Sequence, residues 1–314
     1  MIDLLTKRIL KKVFVTSSIM VMILLIYLMP GVIELEKNDI ATSVEYIDLI
    51  TSTVYLLDDD DLLVEANISI VDDGNVINKI KALIKHLSEA SSEIIPNGLN
   101  FVMPKDIVLL DVNLDEKIVK LNFSKEFKDL SDKRLIRLVE AVSFTLIDLD
   151  DVDGVSIFIE GKNINTFNDK IPEIVTKDFG INKKYDIEKT DDIVKYVVYY
   201  SEKIEDNVYY VPITKYINSS SDKISIIIDD LSSNYIYEPN LISIVSEKLE
   251  LIDYQISNNE MMLNFNNSIF LNGSEIKEEV VYPVVSTVFS NYDVESVILK
   301  VNGAEILKKT SKNG

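Results

Sequence analysis

An internal duplication constrains the fold of this chain more than any other feature of the sequence. Leu109, Asp111 and residues 121–123 (Leu-Asn-Phe) recur 142 residues later as Leu251, Asp253 and residues 263–265. A match at one fixed offset is the signature of a repeated structural unit. Further identities at offset 142 join Val152, Val155, Gly161 and Ile164 to Val294, Val297, Gly303 and Ile306, and at offset 144 Tyr55 and Lys79 match Tyr199 and Lys223.

The duplication predicts two copies of one small domain. We place the first over residues 52–166 and the second over residues 195–307, and we interpret residues 167–194 as a linker because they lack a sustained hydrophobic period. The chain has 314 residues and is 47% apolar. Domains usually run about 100–200 residues, so this length can bury two cores.

The pattern inside the first copy predicts strand, helix, hairpin, helix and strand. Residues 53–57 are β-branched, aromatic and aliphatic, and residues 64–70 could add a second strand. Helical spacing begins at Val76, with Asp72 or Asp73 as the cap. The other expected elements are a hairpin of residues 107–114 and 117–123 turning at Asp115-Glu116, a helix capped by Ser131-Asp132, and a strand at residues 155–159. The predicted fold class is α+β, with two repeated two-layer α/β sandwiches whose outer sheet faces are free.

The second copy follows the same order with two departures. Its strands and hairpin are expected at residues 197–200, 297–301 and around Asn258-Asn259, with a helix from about residue 275. Residues 224–228 (Ile-Ser-Ile-Ile-Ile) resemble a strand where the alignment requires a helix. Pro283 falls inside the other expected helix and predicts a kink there.

Residues 13–33 predict an N-terminal transmembrane helix. Residues 13–29 are 17 consecutive uncharged residues, about 26 Å as a helix, and residues 30–33 extend them to bilayer thickness. Four cations precede this stretch: Lys7, Arg8, Lys11 and Lys12. The positive-inside rule then places residues 1–12 in the cytoplasm and the bulk of the chain outside. A cleaved signal peptide is the alternative, although no A-x-A-like site follows Leu28.

The charge balance argues against nucleic-acid binding. The formal charge is −20, and residues 34–314 carry 28 basic and 51 acidic residues, a balance of −23. Such a surface repels phosphate backbones, so a basic or neutral protein partner fits better. The chain has no cysteine, which excludes disulfides, thiolate zinc sites and lipidated cysteine.

The candidate chemical groups favour a non-enzymatic protein. His86, the one histidine, is expected on the solvated side of its helix without a nucleophile beside it. Asp58–Asp61 and the later acids Asp148, Asp150, Asp151 and Asp153 could offer oxygens to calcium, but their spacing departs from the EF-hand order and favours solvated turns. We therefore assign no catalytic, cofactor-binding or metal-binding residue and expect no cofactor.

Two other motifs have both a functional and a structural interpretation. The twin Leu-Asn-Phe segments are explained by inward-facing strand residues that enter a loop. Tyrosines concentrated in the second copy suggest a contact surface, since Tyr is enriched at interfaces, but half-buried strand tyrosines explain them equally well. These are Tyr199, Tyr200, Tyr209, Tyr210, Tyr235 and Tyr237.

The sequence resembles the GerMN domain of GerM-type sporulation and germination proteins. The resemblance rests on residues 117–127 (KIVKLNFSKEF), followed by residues 152–155 (Val-Asp-Gly-Val) and 159–162 (Ile-Glu-Gly-Lys). Residues 103–106 and 109–112 stand where that family has its preceding conserved stretch. The second copy keeps the pattern more faintly at residues 263–265 and 301–303.

The resemblance implies an exported protein of endospore-forming bacteria with ring-building-motif-like domains. It implies a role between mother cell and forespore in assembling the machinery that links them, with partners among the extracytoplasmic or membrane proteins of a sporulation complex, and it allows a homo-oligomer. The family member used for comparison is a lipoprotein, whereas this chain lacks the lipidation cysteine. The alternative function is an exported protein that binds a small ligand or a cell-wall fragment; a wall hydrolase is disfavoured.

Overall fold

A computed structural model describes residues 2–28, 49–233, 240–243, 248–270 and 276–311. The chain divides into two compact units, Met1–Tyr46 and Ile47–Gly314. Both copies of the repeat lie in the second unit. The element order in the second unit begins with β1 (Leu49–Leu57) and ends with β14 (Ala304–Thr310).

The first unit contains one long helix, α1 (Ile2–Leu28). Within the described residues, no helix combines the length and the apolar character that a membrane crossing requires. Residues 29–33 of the predicted anchor lie outside the described residues. The transmembrane helix predicted at residues 13–33 is therefore not confirmed.

The first copy contains a βαβ unit flanked by a hairpin. Helix α2 (Val76–His86) precedes the antiparallel pair β3 (Leu109–Asp115) and β4 (Ile118–Phe123), and α3 (Asp132–Ile147) carries the chain to β5 (Gly154–Ile159), which pairs parallel with β4. A short β6 (Lys162–Asn163) closes this sheet in the order β3-β4-β5-β6. The predicted hairpin is confirmed, although its turn lies one residue later, at Glu116-Lys117, where both residues have positive φ.

The second copy repeats this arrangement with β11 (Leu251–Ser257), β12 (Glu260–Phe265), α5 (Glu278–Asn291), β13 (Ser296–Val301) and β14. Its hairpin turn at Asn258-Asn259 is confirmed, with φ of 51° and 59°. Helix α5 is continuous through Pro283, so the proline does not end the helix, and the kink expected there stays a prediction. Proline removes one backbone hydrogen bond of the helix, and the buried valines before and after Pro283 hold the helix in place by packing.

The strand-like residues 224–228 form a helix, α4 (Lys223–Leu231), so the strand interpretation is wrong. Short apolar runs do not separate buried helices from strands by periodicity alone. In α4 the apolar side chains are buried against β8 (Ile193–Ile204). Tertiary packing overrides the β propensity of isoleucine here.

The third sheet joins the two copies and corrects the predicted two-layer architecture. Strand β1 pairs with β2 (Leu63–Val71) and not with the β3–β6 sheet. The sheet continues from β2 to β9 (Asn207–Asn218), β8 and β10 (Leu241–Ile242), and β7 (Lys184–Asp186) pairs with β9. Helices α3 and α5 each pack against this joint sheet and against the sheet of their own copy. Side chains on most of the circumference of α3 are buried, because one sheet packs on each of two sides of the helix.

The duplication extends to individual hydrogen bonds. The Tyr55 amide donates to Thr145 Oγ1 at 3.1 Å, and the equivalent Tyr199 amide donates to Thr287 Oγ1 at 3.0 Å. In both copies a helix hydroxyl satisfies a backbone N–H of a strand in the joint sheet. Backbone groups left unpaired at buried positions are costly, which explains why threonine occurs at both sites.

Candidate functional site

The segment predicted as a linker contains a buried junction between the two copies. Asn182 is fully buried, and its side-chain Oδ1 accepts the Leu63 amide at 2.9 Å. Its Nδ2 donates to the Leu63 carbonyl at 2.8 Å and the Pro212 carbonyl at 2.9 Å. Leu63 belongs to β2 and Pro212 to β9, so one amide side chain bridges the two strands where the copies meet.

A second junction contact is a carboxylate surrounded by tyrosines. Glu65 Oε1 accepts the Tyr55 hydroxyl at 2.9 Å and Oε2 accepts the Tyr282 hydroxyl at 2.7 Å. The ring of Tyr282 stacks on Tyr210 with centroids 4.1 Å apart. Burial raises the pKa of Glu65, and the tyrosine hydrogen bonds act in the opposite direction. A cavity of about 340 Å³ opens beside this cluster.

A third contact is a buried pair of acids. Asp58, in the turn after β1, and Glu202, on β8, are each 4% exposed. Asp58 Oδ1 accepts two backbone amides, Asp60 at 2.8 Å and Leu62 at 2.7 Å. Its Oδ2 and Glu202 Oε2 have no hydrogen bond of ordinary geometry to the described part of the chain. Burial, followed by the Asp58 charge, raises the pKa of Glu202 to about 8.

A cavity of about 530 Å³ lies between the joint sheet and α4. Asp230 of α4 accepts the Tyr196 hydroxyl at 2.9 Å, the Tyr200 hydroxyl at 2.7 Å and Lys215 Nζ at 2.8 Å. Burial and then the Asp230 carboxylate raise the pKa of both tyrosines. By strand alternation, Lys184 of β7 shares the face that carries Lys215 and Tyr196.

These polar groups at the cavity floor satisfy one another. Asp230 is engaged by three donors, and Lys215 is shared between that carboxylate and the Tyr200 hydroxyl at 2.6 Å. A general base or nucleophile requires a group that can reach a substrate proton or carbonyl. The cluster therefore fastens α4 to the sheet and leaves a concave surface suited to binding.

His86 does not occupy the solvated position predicted for it. It is 6% exposed, and its Nδ1 lies 3.0 Å from the Ala82 carbonyl, one helical turn earlier. Glu93 Oε2 approaches its Nε2 at 3.7 Å. The chain after α2 folds back over the helix end and covers the ring, which helical periodicity alone could not indicate. The predicted cap also differs, because Asn75 caps α2 through its side chain.

The two acidic runs have different environments. Asp58 is buried, which contradicts the solvated-turn interpretation at that position, whereas Asp61 is paired with Lys133 at 2.8 Å. The second run, at the end of α3, is exposed: Asp148, Asp150, Asp151 and Asp153. Among the residues that the structure describes, no three acidic or histidine side chains are arranged to hold a metal ion.

The twin Leu-Asn-Phe segments are core strand residues, as the sequence analysis predicted. Their leucines and phenylalanines are fully buried. Asn122 Oδ1 accepts the Gly161 amide at 2.9 Å, and Asn264 Oδ1 accepts the Gly303 amide at 2.8 Å. Each asparagine thus holds the turn after the parallel strand of its own copy, which explains the repeated Asn and Gly.

Four of the six tyrosines named in the sequence analysis take buried or half-buried places. Tyr199 and Tyr200 are buried on opposite faces of β8, and Tyr209 and Tyr210 follow each other on β9. Tyr235 and Tyr237 lie outside the described residues. Sequence reasoning missed Asn182, Glu65 and Glu202, because each acquires its role from a partner about 120 to 220 residues away. The sequence signal nearest to them was the concentration of tyrosines in the second copy.

Comparison with known proteins identifies the family. The family described as Germane, "Sporulation and spore germination", matches residues 53–165 and 197–307. The spore germination protein GerM of Bacillus subtilis (strain 168) is 30% identical over 286 residues, which cover 86% of this chain and 76% of that protein. The solved tandem GerMN domains of the sporulation protein GerM from Bacillus subtilis superpose with a TM-score of 0.72 at 28% identity, over 82% of this chain and 92% of that one. The resemblance noted in the sequence is confirmed: the chain belongs to the Germane family of sporulation and spore germination proteins and carries tandem GerMN domains.

Proposed function

We propose that this protein is a non-enzymatic assembly protein of sporulation and spore germination, acting through protein–protein contacts between mother cell and forespore. The observation that carries the proposal is the joint sheet. It unites the two copies into one body through the Asn182 bridge and the Glu65–Tyr282 contact. A scaffold must hold its contact surfaces in a constant relation, and a shared sheet with a buried junction provides that.

The proposal places the bulk of the protein outside the cytoplasm, attached to the membrane through residues 13–33. Support comes from the uncharged run at residues 13–29 and the four cations before it. The strongly acidic residues 34–314 would be repelled by anionic lipid headgroups and would favour basic or neutral partners.

The non-enzymatic part of the proposal is supported by ion pairs between buried or half-buried side chains. Two such carboxylates of the described chain are paired with cations: Asp230 with Lys215 at 2.8 Å and Glu140 with Arg137 at 2.7 Å. Such groups stabilise the fold and are not poised for proton transfer. Partners in this proposal are extracytoplasmic or membrane proteins of a sporulation complex.

To test the proposal, the full chain is expressed in a sporulating host, treated with a mild crosslinker, and recovered together with any protein bound to it. We expect membrane-associated protein partners and protease access to the bulk from the extracytoplasmic side. A junction variant, Asn182→Ala, should reduce recovery, whereas Asn258→Ala, in an exposed turn, should not. Recovery of wall fragments without any protein partner would contradict the proposal.

The second candidate function is binding of a small ligand or cell-wall fragment in the 530 Å³ cavity. Its volume lies within the range of about 300–1,000 Å³ typical of ligand sites, and polar groups converge on one wall. Equilibrium binding of muropeptides to the full chain tests it. Saturable binding that Lys215→Met weakens would favour this function over assembly.

A further inference from the structure

Apolar side chains of the inward face are more exposed on the edge strand β11 than on β3, the equivalent strand of the first copy. Strand β11 ends the sheet β11-β12-β13-β14, so one side of its backbone is not paired within that sheet. Tyr254 and Ile256 lie opposite Leu263 and Met261 and share their inward face, yet they are 40% and 47% exposed. Ile252, at a bulge in the same strand, is 48% exposed. The strand therefore offers a free backbone edge and an apolar row together.

The first copy shows what cover the second copy lacks. The positions 142 residues earlier, Val112 and Leu114, are partly buried and pack against the core. Helix α2 packs on β3 there, whereas its counterpart α4 packs on β8 and is fastened by Asp230. Among the residues that the structure describes, no helix takes the place of α2 on the inward face of β11, and tyrosine and isoleucine replace valine and leucine there.

The two edges of this sheet are protected unequally. The opposite edge, β14, carries Lys308 and Lys309, which form ion pairs with Glu260 and Glu278. Lysines on an edge strand discourage pairing with another chain. The one charge within β11 is Asp253, and its carboxylate accepts the Asn264 side chain at 2.8 Å. Strand β11 carries a bulge at Ile252 but no lysine, so it lacks the lysine protection that β14 has.

Acidic groups lie beside β11, together with Lys248 before the strand and Lys223 near Tyr292. The Tyr254 hydroxyl donates to Asp222 at 2.7 Å, and Glu250 is exposed immediately before the strand. Burial and then Asp222 raise the pKa of Tyr292 to about 12, as expected beside negative charge. A second copy of this chain would place its own Glu250 and Asp253 against the same acids, which like-charge repulsion disfavours.

We propose that the free edge of β11 receives an extended segment of a partner protein as an added strand. The segment carries apolar side chains at alternate positions, facing Tyr254 and Ile256, and Lys or Arg beside them, facing Glu250 and Asp253. Strand addition of this kind draws affinity from main-chain hydrogen bonds and specificity from alternate side chains. The inference rests on the proposed assembly function and names the kind of partner and its place of attachment.

The test places a photo-crosslinking residue at Ile256 of the full chain in sporulating cells, with Leu110 of the first copy as the matched exposed control. We expect a crosslink from position 256 to a different protein, mapped by mass spectrometry to a segment with alternating apolar and basic residues. A synthetic peptide of that segment should then slow amide exchange of residues 251–257 in the purified full chain, because edge amides become hydrogen-bonded.

Substitutions of opposite charge at Ile256 distinguish the contribution of apolar contact from that of charge. Ile256→Lys should lower peptide affinity at least about tenfold, and Ile256→Glu should lower it less, since both lose apolar contact but only lysine repels a basic segment. Leu110→Lys should leave affinity unchanged. Crosslinking to a second copy, to a helix, or to no protein would overturn the assignment. If partners still co-purify with Ile256→Lys, the assembly function stands and the β11 site fails; if no protein partner is recovered from any position, the assembly function fails.

Discussion

Replacing Asn182 by alanine tests whether the two copies form one folding unit. The substitution removes three side-chain hydrogen bonds and leaves the Leu63 amide, the Leu63 carbonyl and the Pro212 carbonyl without those partners. The site is fully buried, so water does not replace them readily. Each buried polar group left unsatisfied costs about 1–3 kcal/mol.

The backbone adds a smaller cost. Asn182 has φ of 49°, a left-handed conformation that costs an alanine about 1 kcal/mol. Allowing for relaxation around the site, we expect Asn182→Ala to lower the free energy of unfolding by about 4 kcal/mol, a large part of the roughly 5–15 kcal/mol of a typical domain. The control Asn258→Ala has φ of 51° in an exposed turn and should cost only about 1 kcal/mol.

Urea unfolding of the full chain in mild detergent, followed by circular dichroism and by tyrosine fluorescence, measures both variants. Coincident transitions are expected for the unchanged protein, because the joint sheet links the copies. In Asn182→Ala the transition should move to lower urea, and the two copies should begin to unfold separately. A loss below about 1 kcal/mol, or equal losses in the two variants, would refute the assigned role of the bridge.

Three further outcomes follow from named contacts. Because the folded pKa of Glu202 is about 8 against an ordinary 4.5, the stability it contributes is complete below about pH 4.5 and is lost as pH rises through 8. Glu202→Gln should flatten that decline in thermal melts taken from pH 4.5 to 9, and an unchanged slope would argue against proton retention. Tyr282→Phe should lower stability by about 1–2 kcal/mol and raise the pKa of Glu65 further, which infrared titration of the carboxyl can follow. Asn122→Ala and Asn264→Ala should each cost about 1 kcal/mol and give similar losses in urea; a much larger difference would show that the two turns are not equivalent.

Local and repeated features of the fold could be predicted from the sequence. The two hairpins, the strand after each long helix, and the Leu-Asn-Phe cores depend on interactions within about 40 residues and appear twice; the parallel pairing and the exact turn at 116–117 came from the structure. Duplication strengthened these predictions, since chance similarity in one copy is checked by the other. Family membership followed from the same short motifs.

The junction could not be predicted in this way. Helix α4 and the buried His86 depend on neighbours distant in sequence, and periodicity describes only one element at a time. Asn182 lies in a segment without hydrophobic period, and its three hydrogen bonds exist only because β2 and β9 meet around it. Likewise, Glu202 is an ordinary strand glutamate until Asp58 is brought beside it in a water-poor site.

The sequence by itself determined that the chain contains one small α/β unit used twice and that it belongs among sporulation and germination proteins. Only the tertiary structure decided that the two copies share a sheet, that the predicted linker supplies its bridge, and that Tyr254 and Ile256 on the edge strand β11 are exposed among the described residues. The physical reason is that hydrophobic period and turn chemistry act over short stretches of chain, whereas burial and desolvation depend on which distant surfaces come together.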